Sequence, residues 1–275
     1  MALKHPPTSY AAGSAWATYL RDLWQRREFA LYLALGKLKA RNASTALGLF
    51  WWVLNPLMLA SIYFLVFGFI FQARRGHPAY LSHLLSGMFA FYYTQSAVTG
   101  GVGSIISNAK LLANLGFPRL VLPVSSLIEA AVGFGASLVA YFAITIPADG
   151  LLAGPTIWWL LPAFGLHTLF NLGLSAATAR FTVPFRDLNN LVPYLMRLWL
   201  YLSPILYTLD RVPESIQGLF RLNPLVPFLD MYRAALMGSP LEGQVVLAAT
   251  LWAAGMAAVG VWLFARSEGY MVRYL

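Results

Sequence analysis

Apolar residues along this chain fall in long unbroken blocks, separated by short clusters of Arg, Lys, Asp, Pro and Gly. Residues 46–71, 76–109, 150–179 and 243–265 contain no Asp, Glu, Lys or Arg; residues 120–147 hold only Glu129, and residues 188–209 only Arg197. A helix crosses the hydrocarbon core with about 20 apolar residues, so these blocks predict six transmembrane helices. A transmembrane barrel would instead alternate apolar and polar positions over about ten residues at a time.

Two segments break the pattern. Residues 210–242 are too polar to span, and Pro213, Pro224, Pro227 and Pro240 cut their apolar pieces short. Short apolar runs of this kind suit re-entrant pieces shielded by protein, so two short helices dipping into the outer leaflet are expected. Near the N-terminus, Trp16, Tyr19, Leu20, Leu23 and Trp24 recur at helical spacing, while Arg21, Asp22, Arg26 and Glu28 fall mainly elsewhere. Such a helix can lie in the headgroup layer, with Ser14 as a candidate cap. A second helical stretch covers residues 29–41. The expected class is therefore an all-α integral membrane protein with an N-terminal amphipathic interface helix, six transmembrane helices and two short re-entrant helices between spans five and six. Its parts are a cytoplasmic segment (1–45), a transmembrane domain (46–265) with a re-entrant region (210–242), and a cytoplasmic tail (266–275).

Composition agrees: the 275 residues are 59% hydrophobic and 11% charged, with no cysteine. Ordinary soluble domains carry about 25% charged residues, so a soluble enzyme, a nucleic-acid-binding domain and a disulfide scaffold are excluded. The net charge of +9 follows the positive-inside rule. With the N-terminus in the cytoplasm, 13 of the 19 Lys and Arg lie inside and five outside, Arg74 and Arg75 among the latter. Both termini are then cytoplasmic. No cleavable signal peptide is visible, and the first span would serve as the targeting signal.

Five local patterns occur in order: Leu47-Gly48-Leu49-Phe50-Trp51-Trp52-Val53-Leu54-Asn55-Pro56-Leu57; the stretch from Asn108 through Lys110, Asn114, Phe117 and Pro118 to Arg119; Phe185-Arg186-Asp187-Leu188; Ser203-Pro204-Ile205-Leu206-Tyr207; and Asn223-Pro224-Leu225 with Tyr232-Arg233. Together, over residues 37–238, they resemble the permease subunit of bacterial ABC exporters of polysaccharides and polyol phosphates (O-antigen, teichoic acid, capsule or galactan type). One departure is that Gly36-Lys37 stands where the family often has an Arg-Asp pair. The resemblance implies a bacterial plasma-membrane location, a homodimer with a channel at its interface, and a lipid-linked polysaccharide as substrate. It also implies separate ATP-binding subunits that hold ATP and Mg, with no cofactor in this chain. The loop after span two would couple to those subunits, through Asn108, Lys110, Asn114, Phe117, Pro118 and Arg119, with Lys39 and Arg41 nearby. The region between spans five and six would form the outer gate, with Ser203, Pro204, Asn223 and Pro224.

The residues themselves support part of this. No G-x-x-x-x-G-K-[ST] phosphate loop is present, so ATP-driven transport needs another chain. Pro118 disfavours helix at Phe117; the segment reads as a docking piece or as an ordinary solvated loop. Arg186 and Asp187 form a cytoplasmic turn, either a helix boundary with a snorkelling Arg or a second contact. Pro204 kinks or ends its helix. The aromatics Trp51, Trp52, Tyr63, Tyr92, Tyr93, Tyr194, Trp199, Tyr201 and Tyr207 are channel candidates, because ring faces stack on sugars; interface belts or packing are the plainer explanation. Glu129, His167 and Arg197 are ionisable groups in or near spans, open to pairing, channel lining or a proton relay. Small residues (Gly133, Gly135, Ala136 and Ala140; Gly100, Gly101 and Gly103) allow close helix approach. No histidines show metal-ligand spacing. A related permease for a drug or small lipid, an ATP-independent secondary transporter or flippase, and a membrane-embedded transferase are the alternatives; the last two would show inverted repeats or an acidic or metal cluster.

Overall fold

The computed structural model describes residues 13–42, 45–70, 79–109, 111, 117–150, 154–209 and 212–271, and every regular element among them is helical. An arm comes first, made of α1 (Gly13–Gln25) and α2 (Arg27–Asn42). The hydrogen-bond ladder runs on across the break, with Ala30 N–H donating to the Arg26 carbonyl at 3.1 Å. The side chain of Ser14, the cap candidate, lies outside the described residues. The apolar stripe of α1 divides: Tyr19 is buried and Leu23 half-buried, whereas Leu20 and Trp24 are exposed.

The first apolar block enters through a 3-10 turn, Gly48–Phe50, into α3 (Trp51–Tyr63), and continues as a π-helical stretch, Phe64–Ile70. Next come α4 (Tyr80–Ser104) and α5 (Val121–Asp149). Gly150 ends α5 at φ +64°, a left-handed turn that glycine adopts without steric cost. A 3-10 turn, Pro155–Trp159, leads into α6 (Leu160–Thr182), followed by α7 (Leu188–Tyr201). The two short helices expected between the last two apolar blocks are α8 (Glu214–Arg221) and α9 (Val226–Met237). The last helix, α10 (Gly243–Met271), passes beyond the boundary expected at Ala265.

Among the described residues, three helical units are long and apolar enough to cross a membrane: α5, Pro155–Thr182 and Gly243–Glu268. The chain is thus a multi-pass membrane protein. Helix α4 has 25 residues, about 37 Å at 1.5 Å per residue, but His83, Thr94, Gln95, Ser96 and Thr99 dilute its apolar character. The fifth block is helical only as far as Tyr201, three residues before Pro204, and then turns. Its 14 helical residues reach about 21 Å.

Helix α4 is buried along most of its length, between α5 and α6. Its glycines explain how: a Cβ on Gly100 would lie 2.9 Å from the Ser126 Cβ, and one on Gly101 2.5 Å from the Ser175 Oγ. The most extensive pairing joins α6 to α10, where Gly173 meets the Met256 carbonyl and Gly260 meets the Gly173 backbone. Small residues let helix backbones touch in this way. By contrast Gly103 and Gly135 face open space, so the small-residue runs expected to pack do so only in part. Helix α3, its π-helical extension and α7 sit at the margin and expose apolar rows, including Met58, Ile62, Leu65, Leu191, Leu195 and Leu198.

Candidate functional site

A cleft of about 550 Å3 opens between α3, α4 and α5. Its walls are Trp51, Asn55 and Leu59 of α3, Phe89, Gln95, Thr99 and Gly100 of α4, and Ser126, Glu129, Phe134 and Ser137 of α5. Tyr92 and Tyr93 complete the wall. Thr99 donates to the Gln95 carbonyl at 2.8 Å and Ser137 to the Gly133 carbonyl at 3.0 Å. Beside Glu129, on the arm, the Lys37 ammonium donates to Ser125 Oγ at 3.5 Å. Burial draws Lys37 below the usual lysine range, and the negative charge of Glu129 pulls it partway back. Lys37 thus lies near Glu129; the Arg197 guanidinium lies 6.0 Å over the Tyr194 ring.

Three of the channel candidates converge. The hydroxyl of Tyr63 of α3 lies near those of Tyr92 of α4 and Tyr201 of α7. The marginal helices thus meet the centre through a group of hydroxyls. Of the other candidates, Trp51 and Tyr93 line the cleft beside Tyr92, while Tyr194, Trp199 and Tyr207 lie elsewhere. Tyr93 is core, stacked on Phe134 at 5.1 Å and Phe164 at 5.8 Å, with its hydroxyl 2.9 Å from Thr168 Oγ1. Tyr194 is exposed. Tyr207 donates to the Tyr201 carbonyl at 2.8 Å.

At the end of α7 the expected gate residues form a latch. Asn223 Oδ1 accepts from Trp199 Nε1 at 2.9 Å and from Leu225 N–H at 3.0 Å. Its Nδ2 donates to the Leu202 carbonyl at 3.1 Å and Ser203 Oγ at 2.9 Å. Arg233 of α9 donates to the Pro204 carbonyl, to His83 Nε2 at 3.1 Å and to Asp230 Oδ1 at 3.3 Å. Pro224 precedes α9 and is half-buried. A second knot holds α9 from within. His167, fully buried, stacks on Phe228 at 4.9 Å, with its ring nitrogens 2.7 Å from Thr94 Oγ1 and 3.2 Å from the Tyr232 hydroxyl. Either neutral tautomer satisfies both contacts. His167 therefore ties α9 to α4 and α6.

The opposite end carries a third junction. Glu268 Oε1, near the end of α10, accepts from the Tyr19 hydroxyl at 2.6 Å and from Arg119 N–H at 2.9 Å, while the Arg119 guanidinium donates to the Glu268 carbonyl. Phe117 meets Phe29 of α2 edge to face at 5.3 Å. Phe117 and Arg119 are half-buried and Pro118 is buried, so these expected coupling residues join the arm to the bundle. Asn108 Nδ2 donates to the Ser104 carbonyl at 2.7 Å and closes the end of α4. Lys39, Arg186 and Asp187 are exposed. Lys110 and Asn114, and the side chains of Trp52 and Arg41, lie outside the described residues. Sequence reasoning did not pair Tyr19 with Glu268, or Lys37 with Ser125, because these partners lie far apart along the chain. Among the described residues, no group of three or more His, Asp or Glu is placed to hold a metal.

A multi-pass helical bundle with a polar cleft and locked ends has the make-up of a membrane transporter. The model of the ABC-2 type transporter family matches residues 32–237, and the chain belongs to that family as a permease. It is 31% identical over 248 residues to the O-antigen export system permease protein RfbA of Myxococcus xanthus, covering 86% of this chain and 93% of that protein. It is 28% identical over 210 residues to RfbA of Klebsiella pneumoniae, covering 76% and 80%. It is 23% identical over 222 residues to the capsule polysaccharide export inner-membrane protein CtrC of Neisseria meningitidis, covering 78% and 81%.

Proposed function

We propose that this chain is the transmembrane permease subunit of an ATP-driven exporter that moves a lipid-linked polysaccharide across the bacterial plasma membrane. The observation that carries this reading is the match of most of the chain to permeases named for O-antigen and capsule export. In this reading α3 with its π-helical extension, α4, α5, α6, α7 and α10 are the six spans, and both termini are cytoplasmic. Helices α8 and α9 re-enter from the outer side as a gate, held at rest by Asn223 and Arg233. Two copies pair and form the channel between them; the exposed apolar rows of α3 and α7 suit a partner copy or lipid. Separate subunits bind ATP and Mg and act on the segment around Asn108 to Arg119. The junction of Arg119 with Glu268 and Tyr19 would carry their movement to α10 and the arm.

Deletion and complementation in the source bacterium test this. Loss of the chain removes a surface polysaccharide and accumulates its lipid-linked form inside, and the plasmid-borne chain restores export. An unchanged cell surface would overturn the reading.

A further inference from the structure

Resting on the export reading only for a cytoplasmic α10 C-terminus, we propose that the outer face of α10 binds one anionic glycerophospholipid of the inner leaflet. An acyl chain lies in a groove at Gly255, and the phosphate lies on Arg266.

Helix α10 has two opposite faces. Ala249, Ala253, Ala257 and Phe264 are buried, and the helix packs on α6 and α9. At about 100° per residue, a second stripe runs about 150° round from that face. There Ala248, Leu251, Trp252, Gly255, Met256 and Val259 enclose an apolar groove of about 520 Å3. Leu251, Trp252, Gly255 and Val259 are exposed. A Cβ on Gly255 would meet nothing within 4 Å, so the groove is open at that point. From Ala248 to Val259 it runs about 16 Å, against about 15 Å for the hydrocarbon of one leaflet.

The stripe continues toward the C-terminus into polar groups. Positions 252, 255, 259, 262 and 266 fall within about 80° of arc. Trp262 is a residue type of the membrane interface, and the Arg266 guanidinium lies 5.3 Å over its ring. Arg266 stands about 10 Å beyond Val259 along the axis, at headgroup level when the groove lies in hydrocarbon. A guanidinium held against a ring keeps N–H donors for a phosphate. Glu268 is turned away from this face, toward Tyr19 and Arg119.

The spacing selects the occupant. A helix of a second copy would fill the groove but would need its own anion level with Arg266. A phospholipid carries the anion and the chain in one molecule, at this separation. An anionic headgroup also brings no ammonium group against Arg266, as phosphatidylcholine would, and one basic residue near a membrane surface favours anionic lipid by about fivefold.

The test places the full chain, with its ATP-binding partner, in phosphatidylcholine nanodiscs holding a trace of phosphatidylglycerol with a diazirine midway along one acyl chain. After illumination, labelled peptides are mapped by mass spectrometry. Residues 248–259 take about fivefold more label than Val139 of α5 or Leu161 of α6, both exposed and apolar. The same diazirine on phosphatidylcholine labels the groove about fivefold less. Arg266→Gln brings phosphatidylglycerol down to that level, and Arg266→Lys keeps the preference. Gly255→Leu fills the groove and lowers its labelling to that of Val139, with the melting temperature in detergent unchanged. Equal labelling of the groove, Val139 and Leu161 overturns the proposal, as does a lipid preference that survives Arg266→Gln. A Gly255→Leu chain that turns from dimer to monomer in light scattering also overturns it and gives the groove to a second copy. Groove labelling in a chain whose deletion leaves the cell surface unchanged supports the lipid site while the export reading falls.

Discussion

Asn223→Ala is the most informative single change at the end of α7. The side chain makes four hydrogen bonds, with Trp199, Leu225, Leu202 and Ser203. A typical intramolecular hydrogen bond contributes about 1 kcal/mol net. Asn223 is half-buried, so water replaces part of what is lost, and the latch weakens by about 2–4 kcal/mol. At 1.4 kcal/mol per factor of ten, local opening becomes roughly 30-fold to several-hundred-fold more frequent. The Leu225 amide reports directly, since it donates to Asn223 Oδ1. Hydrogen exchange followed by mass spectrometry on the chain in detergent should show faster exchange around residues 199–206 and 223–228, with α10 unchanged. Asn223→Asp keeps both acceptor contacts and loses the two Nδ2 donations, so its effect should be about half as large in free energy. A change below about threefold at Leu225, or one spread evenly over α10, would refute the latch.

Three further outcomes follow from the packing and the buried knots. Gly173→Ala places a methyl group onto the Met256 carbonyl where α6 crosses α10, so it lowers the melting temperature and the yield of folded protein. Gly135→Ala, which faces open space, leaves both unchanged. His167→Phe leaves the hydroxyls of Thr94 and Tyr232 without their partner in the core and costs about 2–3 kcal/mol; thermal unfolding in detergent reads this, and His167→Gln recovers part of it. Tyr19→Phe removes a 2.6 Å hydrogen bond to Glu268, about 1.5–3 kcal/mol for a charged acceptor, and frees the arm. Trypsin then cuts at Arg21 and Arg26 faster than in the unaltered chain.

Helices were legible wherever one block of residues decided the matter. The apolar blocks predict α3 through α7 and α10, because hydrophobic length is a local property. The prolines of residues 210–242 predict short helices there, and α8 and α9 are those helices. Helix ends were less legible. Pro204 marks a break, but the chain leaves the helix at Tyr201, where Leu202 and Ser203 meet Asn223 from 20 or so residues away. Helical spacing puts the α1 stripe on one face, yet the fold buries Tyr19, whose hydroxyl donates to Glu268, while Trp24 stays outside. Nothing local distinguishes Gly173 and Gly260 from Gly135; only the crossing of α6 with α10 separates them. Among the candidate aromatics, Tyr63, Tyr92 and Tyr201 converge from three helices, a coincidence that no local pattern encodes. Lys37 stands out in the sequence only as a departure from the family's Arg-Asp pair, and its proximity to Glu129 depends on how α2 lies across α5.

The central claim is that this permease exports only with an ATP-binding partner. The most direct measurement purifies the tagged chain from its native membrane in mild detergent, identifies what accompanies it, and assays transport in vesicles. The account predicts an ATP-binding subunit in equal copy number, a lipid-linked glycan in the same fraction, and movement of that glycan only when ATP is hydrolysed. A chain that purifies alone and moves its substrate without ATP would contradict it.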